Sequence, residues 1–233
     1  MQTDAGWQML YTGTTDAERA LVQRIGLATS PDLVTWTKHP GAVLEADPRW
    51  YELLDLDAWF DQAWRDPWLF RGPDGSFHVY VTARAAEGPA RGRAVIGHAC
   101  SNDLVNWDVL PPVTAPMGFG QMEVPQLVEA GGRWFLLFSS DPGTRLPDAG
   151  VEGTGTYYLT ADSPFGPFGR DTLGVLDAGP DAPYAGKIIT FRGGMHFLGW
   201  EGAVRGGAFR GTLAQPRPVT ATADGRLVVG TKR

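Results

Sequence analysis

The sequence predicts an all-β protein of the β-propeller type, and three observations support this prediction. First, the 233 residues include 31 glycines and 18 prolines, a share of turn-forming residues that suits many short strands. Second, one turn pattern recurs along the chain in register. Third, a unit made of a strand, a glycine-containing turn and an aromatic-rich strand recurs between the copies of that turn, while helical periodicity is almost absent.

The repeated turn is the clearest of these signals. Residues 26–36 read GLATSPDLVTW and residues 97–107 read GHACSNDLVNW, so that Gly, Ala, Ser, Asp, Leu, Val and Trp recur at matching places. A weaker third copy, TADSPFGPF, covers residues 160–168. A long repeat in register is typical of propeller blades.

The hairpin units start at Asp66, Val124 and Ala185, and each adds two strands to the strand that ends in the turn. Four strands per unit indicate a propeller blade. A β-sandwich is the alternative, although a sandwich does not require such repeats. The opening DAGWQMLYTG matches only the second half of a unit, and the last unit is partial. We therefore expect residues 1–233 to form one propeller domain with about four blades.

Composition excludes several functional classes. The net charge of −6 and the lack of a basic block disfavour nucleic-acid binding. The longest apolar runs, such as residues 134–138, are too short for a membrane helix. Cys100 is the only cysteine, and the four histidines lack metal-ligand spacing, so we expect no disulfide, metal or cofactor. The first residues contain no export signal. A segment ahead of Met1 would be able to carry one, so the location stays open.

Two acidic residues stand where the innermost strands of successive blades are expected to begin. Asp66 precedes Pro67 in WRDPWLF, and Glu123 lies two residues before Pro125 in QMEVPQL. Both carboxyl groups would face one funnel, and paired carboxylates are what glycoside hydrolysis requires. Arg65 is placed to bind the Asp66 carboxylate and substrate hydroxyls. Ordinary turn chemistry at a strand start is the other interpretation.

The motifs WRDPWLF, QMEVPQLVE, WQMLYTGT, YAGKIITFRGGMHFLGW and GTLAQPRPVTATADGRLVV together resemble glycoside hydrolase family 32. This family contains invertases, levanases and inulinases, and the similarity runs along essentially the whole chain in the family's motif order. The resemblance implies a five-bladed propeller, usually followed by a β-sandwich. It also implies hydrolysis of β-fructofuranosides with retention. The chain would then be an incomplete propeller without the C-terminal sandwich.

The resemblance also implies roles for individual residues. Asp66 corresponds to the aspartate that stabilises the transition state and binds fructose hydroxyls, with Arg65 as its motif neighbour. Glu123 corresponds to the general acid/base, although Val124 stands where the family usually has cysteine.

Three further residues come from the same resemblance. Asp181 and Tyr184, in DAPYAG, match substrate-side residues, and Trp200 matches an apolar wall under the sugar ring.

The family's nucleophile is missing from this sequence. It is an aspartate in a W-x-N-D-P-N-G segment, and no N-D-P occurs here, since Asn102 and Asp103 are followed by Leu104 within the repeated turn. Alignment of the repeats predicts that the first blade and the first strand of the second are absent. Loss of one member of a catalytic set slows a reaction by several orders of magnitude.

The sequence thus supports more than one function. The first is a sucrose- or fructan-type hydrolase that is truncated or read from a wrong start. The second is a non-catalytic carbohydrate-binding or interaction propeller, whose open strand edges would favour self-association. The third is a five-bladed hydrolase of arabinose- or xylose-containing glycans. The sequence does not separate hydrolysis from fructosyl transfer, or sucrose from inulin or levan.

Overall fold

Four antiparallel sheets form the blades of a β-propeller in the computed structural model, which describes residues 1–147, 149–203 and 209–231. Blade 1 contains β1 (Gln2–Thr3), β2 (Gly6–Gly13), β3 (Arg24–Ser30) and β4 (Thr37–Lys38). Blade 2 contains β5 (Trp64–Arg71), β6 (Phe77–Arg84), β7 (Ala94–Ser101) and β8 (Asp108–Leu110).

Blade 3 contains β9 (Glu123–Ala130), β10 (Arg133–Ser140), β11 (Gly155–Ala161) and β12 (Gly174–Ala178). Blade 4 contains β13 (Tyr184–Phe191), β14 (Gly194–Ala203), β16 (Arg217–Ala221) and β17 (Leu227–Val229), with β15 (Phe209–Leu213) paired to β14 outside the main order. Four short 3₁₀ helices complete the described chain: Asp16–Glu18, Ala90–Gly92, Pro142–Thr144 and Arg170–Thr172. None of the helices seen here is long and apolar enough to cross a membrane.

The predicted all-β propeller fold with four blades is therefore confirmed. In each blade the strands follow one another in sequence from the innermost strand outwards. The innermost strands β5, β9 and β13 have eight residues each, whereas β1 has two. This short β1 explains why the opening of the sequence matches only the second half of the hairpin unit.

The repeated sequence is a turn between the third and fourth strands of a blade. In blade 2, Ser101 Oγ accepts hydrogen bonds from the N–H groups of Asp103 and Leu104, at 3.1 and 2.9 Å. The Asp103 carboxylate accepts from the N–H of Asn106 at 2.8 Å, and Trp107 Nε1 donates to Leu104 O at 2.9 Å. Leu104 has a left-handed φ of 68°. The same bonds recur in blade 1, at Ser30, Asp32, Leu33, Thr35 and Trp36.

The hydrophobic core lies between the blades, and strand alternation divides it. In β10, Leu136 and Phe138 pack into the cluster shared with blade 2, while Phe135 and Leu137 pack into the cluster shared with blade 4. All four side chains are fully buried. Successive side chains point to opposite faces of a strand, so a run of five apolar residues is needed where both faces meet a neighbouring blade.

A pair of histidines is buried within blade 2. His78 Nδ1 and His98 Nε2 lie 2.9 Å apart, and Phe165 packs against both rings. Burial, assisted by the neighbouring His78, lowers the pKa of His98 from its ordinary value of 6.5 to about 3. His98 therefore stays neutral in the folded protein at pH values where the unfolded chain takes up a proton.

We expect Ser101→Ala to lower the free energy of unfolding by about 1 kcal/mol, because two backbone N–H groups lose their acceptor. Urea unfolding measures the change. Ser30→Ala, at the matching position of blade 1, should have a similar effect. An unchanged unfolding midpoint in both variants would contradict this account of the repeat.

We expect acid to destabilise the protein through His98. Because the folded pKa is lowered, stability is complete above about pH 6.5 and falls as the pH drops from 6.5 towards 3. In His98→Gln, the loss of unfolding free energy between pH 7 and pH 5 should shrink by about 2 kcal/mol. Denaturant unfolding at both pH values measures it, with His196→Gln as control. Equal losses in His98→Gln and the wild type would refute the assignment.

Candidate active site

The inner strands of blades 2, 3 and 4 begin with the same irregularity. In each, two residues are skipped in the pairing with the next strand, near Asp66, Val124 and Ala185. These three residues have φ values of 58°, 49° and 52°, a left-handed conformation that side chains other than glycine rarely adopt. Such bulges re-aim side chains at the end of a strand. Here they bring three neighbouring strand starts together.

The residues that immediately precede the three bulges form one cluster. Arg65, Glu123 and Tyr184 pair with equivalent positions of β6, β10 and β14 and are therefore structural counterparts. Arg65 Nη2 donates to Glu123 Oε1 at 2.6 Å, and the Tyr184 hydroxyl donates to Glu123 Oε2. Both oxygens of Glu123 are thus held, one from each neighbouring blade.

Asp66 lies one residue beyond Arg65, within the bulge. Its Oδ2 accepts from Thr82 Oγ1 at 2.8 Å and from the Val124 N–H at 3.2 Å, and lies 3.6 Å from Arg65 Nε. The Asp66 N–H donates to Thr12 Oγ1 in blade 1 at 3.0 Å. Within the described ranges no group binds Oδ1, and a quarter of the side chain is exposed. The structure therefore brings the two predicted carboxylates together at one end of the inner strands.

The second guanidinium nitrogen of Arg65, Nη1, binds the carboxylate of Asp61, a residue that the sequence analysis missed. Arg65 Nη1 lies 3.2 Å from Asp61 Oδ2 and donates to Gln23 Oε1 at 3.1 Å. Gln23 Nε2 also donates to Asp61, at 3.1 Å. Burial raises the pKa of the Asp61 carboxyl, and the positive charge of Arg65 opposes that rise. Asp61 follows an irregular loop, so no periodic pattern marked it.

The three residues predicted on the substrate side, Asp181, Tyr184 and Trp200, lie in different environments. Tyr184 belongs to the cluster, and burial together with the Glu123 carboxylate raises its pKa far above the ordinary value, so the phenol stays protonated. Trp200 stands opposite Tyr184 in the β13–β14 pairing and is 40% exposed. Asp181 lies in the exposed turn before β13.

The sequence analysis also missed the residues that hydrogen-bond to Asp66 and to the backbone next to Glu123. Thr82 and Thr12 sit at equivalent places in the second strands of blades 2 and 1, where they bind Asp66. Lys187, in β13, donates to two backbone carbonyls of β9. A threonine at this place in the second strands of blades 1 and 2 was the available signal, but it is also ordinary strand composition. No group of three metal-binding side chains occurs in the part of the chain described above.

Comparison with known proteins gives structural neighbours only. No family model and no curated protein matches the sequence. Inulosucrase from Halalkalicoccus jeotgali bound to kestose superposes with a TM-score of 0.74 at 22% identity, over 95% of this chain and 66% of its own. Sucrose-6-phosphate hydrolase from Lactobacillus gasseri gives 0.74 at 19%, over 98% and 47%. A Bombyx mori GH32 β-fructofuranosidase gives 0.69 at 23%, over 96% and 47%.

The chain therefore shares the β-propeller fold of these neighbours. The chain spans between about half and two thirds of the length of these neighbours. The TM-scores establish the shared fold, whereas identities this low say nothing about the role of each residue.

We expect Arg65→Met to lower the free energy of unfolding by about 3 kcal/mol, because it leaves the buried Asp61 carboxylate without its cation. Adding Asp61→Asn should recover part of that loss, so that the two changes are not additive. Urea unfolding of the single and double variants measures the coupling. The exposed pair Arg226 and Asp224 is the control and should show little coupling. Additive effects at Arg65 and Asp61 would contradict the proposed buried pairing.

Proposed function

We propose that the chain is a glycoside hydrolase of the family 32 type that acts on β-fructofuranosides of the sucrose or fructan class. The observation that carries this proposal is the cluster of Arg65, Glu123 and Tyr184 beside Asp66, at the end of three inner strands. An acid held from two sides and a second carboxylate with a free oxygen are features that glycosidic bond cleavage uses. The fold neighbours are named for sucrose- and fructan-related activities.

In this proposal Glu123 is the general acid/base. It gives its proton to the leaving-group oxygen as the bond from that oxygen to the fructosyl anomeric carbon breaks, and it then takes a proton from the water whose oxygen forms the new bond to that carbon. Tyr184 and Arg65 fix the position of the Glu123 carboxyl group. The exposed Oδ1 of Asp66 binds fructosyl hydroxyls, because its Oδ2 is already taken by Thr82 and Val124.

Two further residues are proposed on the substrate side. Trp200 is exposed and stands opposite Tyr184, so its ring can lie against the apolar face of a sugar. Asp181 stands in the exposed turn leading to Tyr184, where it would meet a part of the substrate outside the cluster.

A second candidate function is sugar binding without turnover. The observation that favours it is the absence of an N-D-P segment from the sequence. A retaining glycosidase needs a nucleophilic carboxylate about 5–5.5 Å from its acid. The Asp61 carboxylate is a poor candidate for that role, because the residue is buried, with 9% of its surface exposed.

We expect Glu123→Gln to abolish fructose release while leaving sugar binding largely intact. The amide keeps the shape of the carboxyl group but has no proton to transfer. Release of fructose from sucrose, inulin and levan measures the activity, and calorimetry with kestose measures binding. Glu129→Gln, an exposed position on the same strand, is the control.

Each outcome of these assays selects one function. Release that Glu123→Gln abolishes and Glu129→Gln retains supports the hydrolase. Binding without release supports the sugar-binding propeller. Release of arabinose or xylose from arabinan or xylan fragments, with no fructose from the fructans, would replace the fructoside assignment. Neither binding nor release by the folded protein would refute both candidate functions.

A further inference from the structure

A lysine ammonium joins the inner strands of blades 3 and 4 next to the cluster. Lys187 Nζ donates to the carbonyl of Val124 at 2.7 Å and to that of Pro125 at 2.9 Å. It also lies 5.5 Å from the centre of the Trp68 ring, in β5 of blade 2, a favourable placement for a cation. Lys187 therefore contacts the inner strands of two other blades.

Lys187 binds a backbone segment that has an unfavourable conformation. Val124 is a β-branched residue with φ 49°, a left-handed conformation that such side chains rarely adopt. Its N–H donates to Asp66 Oδ2 at 3.2 Å and to Thr82 Oγ1 at 3.1 Å. Its carbonyl accepts from Lys187. Both polar ends of this strained residue are thus bound, one to a carboxylate and the other to an ammonium.

The position of Val124 also determines that of Glu123, which is the preceding residue. If the Val124 peptide rotated out of the left-handed conformation, its N–H would leave Asp66. The Glu123 side chain would also move relative to Arg65 and Tyr184. A partly buried cation that binds two successive carbonyls opposes this rotation, because leaving the ammonium unpaired costs free energy.

The charge of Lys187 is sensitive to its surroundings. Burial lowers the pKa of Lys187 to about 8, and the charge of Asp66 opposes that lowering. In the described part of the chain, the other titratable groups at this end of the inner strands include Glu123 on β9, Arg65 on β5, Tyr184 on β13 itself and Asp61 ahead of β5. The ammonium is the form that donates to both carbonyls, so deprotonation weakens the hold on Val124.

We propose that Lys187 is a positioning residue of this site. Its ammonium holds the segment from Glu123 to Pro125 in the left-handed turn that presents the Val124 N–H to Asp66 and keeps Glu123 between Arg65 and Tyr184. This role rests on geometry alone and does not require turnover, whereas its effect on catalysis rests on the proposed function.

The sequence offers a selective probe of this turn. Glu123–Val124 is the only glutamate–valine step among the 233 residues. Protein labelled with ¹³C-carbonyl glutamate and ¹⁵N-valine therefore gives one signal in a carbon-detected CO–N correlation spectrum. That signal reports on the peptide nitrogen that faces Asp66.

Three variants test the proposal with this probe. Lys187→Met keeps an unbranched side chain without charge, Lys187→Arg keeps the charge, and Lys38→Met removes an exposed lysine in blade 1. We expect Lys187→Met to shift the signal, Lys187→Arg to shift it less, and Lys38→Met to leave it unchanged. In the wild type the signal should also move between pH 7 and pH 9.5 with a midpoint near 8, and Lys187→Met should abolish that step.

A signal in Lys187→Met at the wild-type position would overturn the proposal. If Lys187→Met does not fold, the wild-type titration is continued to pH 10.5, the ordinary lysine pKa, because burial lowers the pKa of Lys187. A signal that does not move anywhere in that range overturns the proposal equally. In the hydrolase, Lys187→Met should lower kcat by about 10- to 100-fold with a smaller change in KM, since misplacing a catalytic group has effects of that size. Lys187→Arg should recover part of kcat. If the expected spectral changes occur but neither the wild type nor the variants release fructose, the proposed hydrolase function is refuted and the positioning role of Lys187 stands.

Discussion

The guanidinium of Arg65 connects three parts of the propeller that are distant in sequence. It binds Gln23 ahead of β3, Asp61 ahead of β5 and Glu123 at the start of β9, and it lies beside Asp66. The positive charge of Arg65 lies among the carboxylates of Asp61, Asp66 and Glu123 and offsets the repulsion between them. The planar fork of arginine suits this task, because it offers separate donors to partners on different sides.

Backbone strain accompanies this electrostatic arrangement. The three inner strands that meet here each have a residue in the left-handed conformation within their first three positions, and none of these residues is glycine. Strain of this kind persists only where surrounding contacts hold it, and it is concentrated at functional sites. For Val124 those contacts are visible, with Asp66 at one end of the residue and Lys187 at the other. Charge and strain therefore support each other at the same place.

The spacing argument anticipated that Asp66 and Glu123 would lie close together, but it missed how the surrounding residues are arranged. Asp66 and Glu123 do meet, and Arg65 binds both. However, the structural counterpart of Glu123 in blade 2 is Arg65, because Asp66 lies within the bulge. A proline spacing cannot distinguish these two positions, since a bulge shifts the side chains by one residue. The sequence did not predict Asp61, because it follows an irregular loop. It did not predict Lys187 either, because this lysine lies within a strand pattern.

The sequence by itself determined the blades. The bonds of the Ser101–Trp107 turn all lie within that segment, and alternation along β10 divides the core between two neighbouring blades, so local patterns were enough. Only the tertiary structure decided the site. Arg65 and Glu123 are 58 residues apart, and Glu123 and Tyr184 are 61 apart. Their contacts depend on how the blades are placed around a common axis and where each inner strand bulges, which no local pattern encodes.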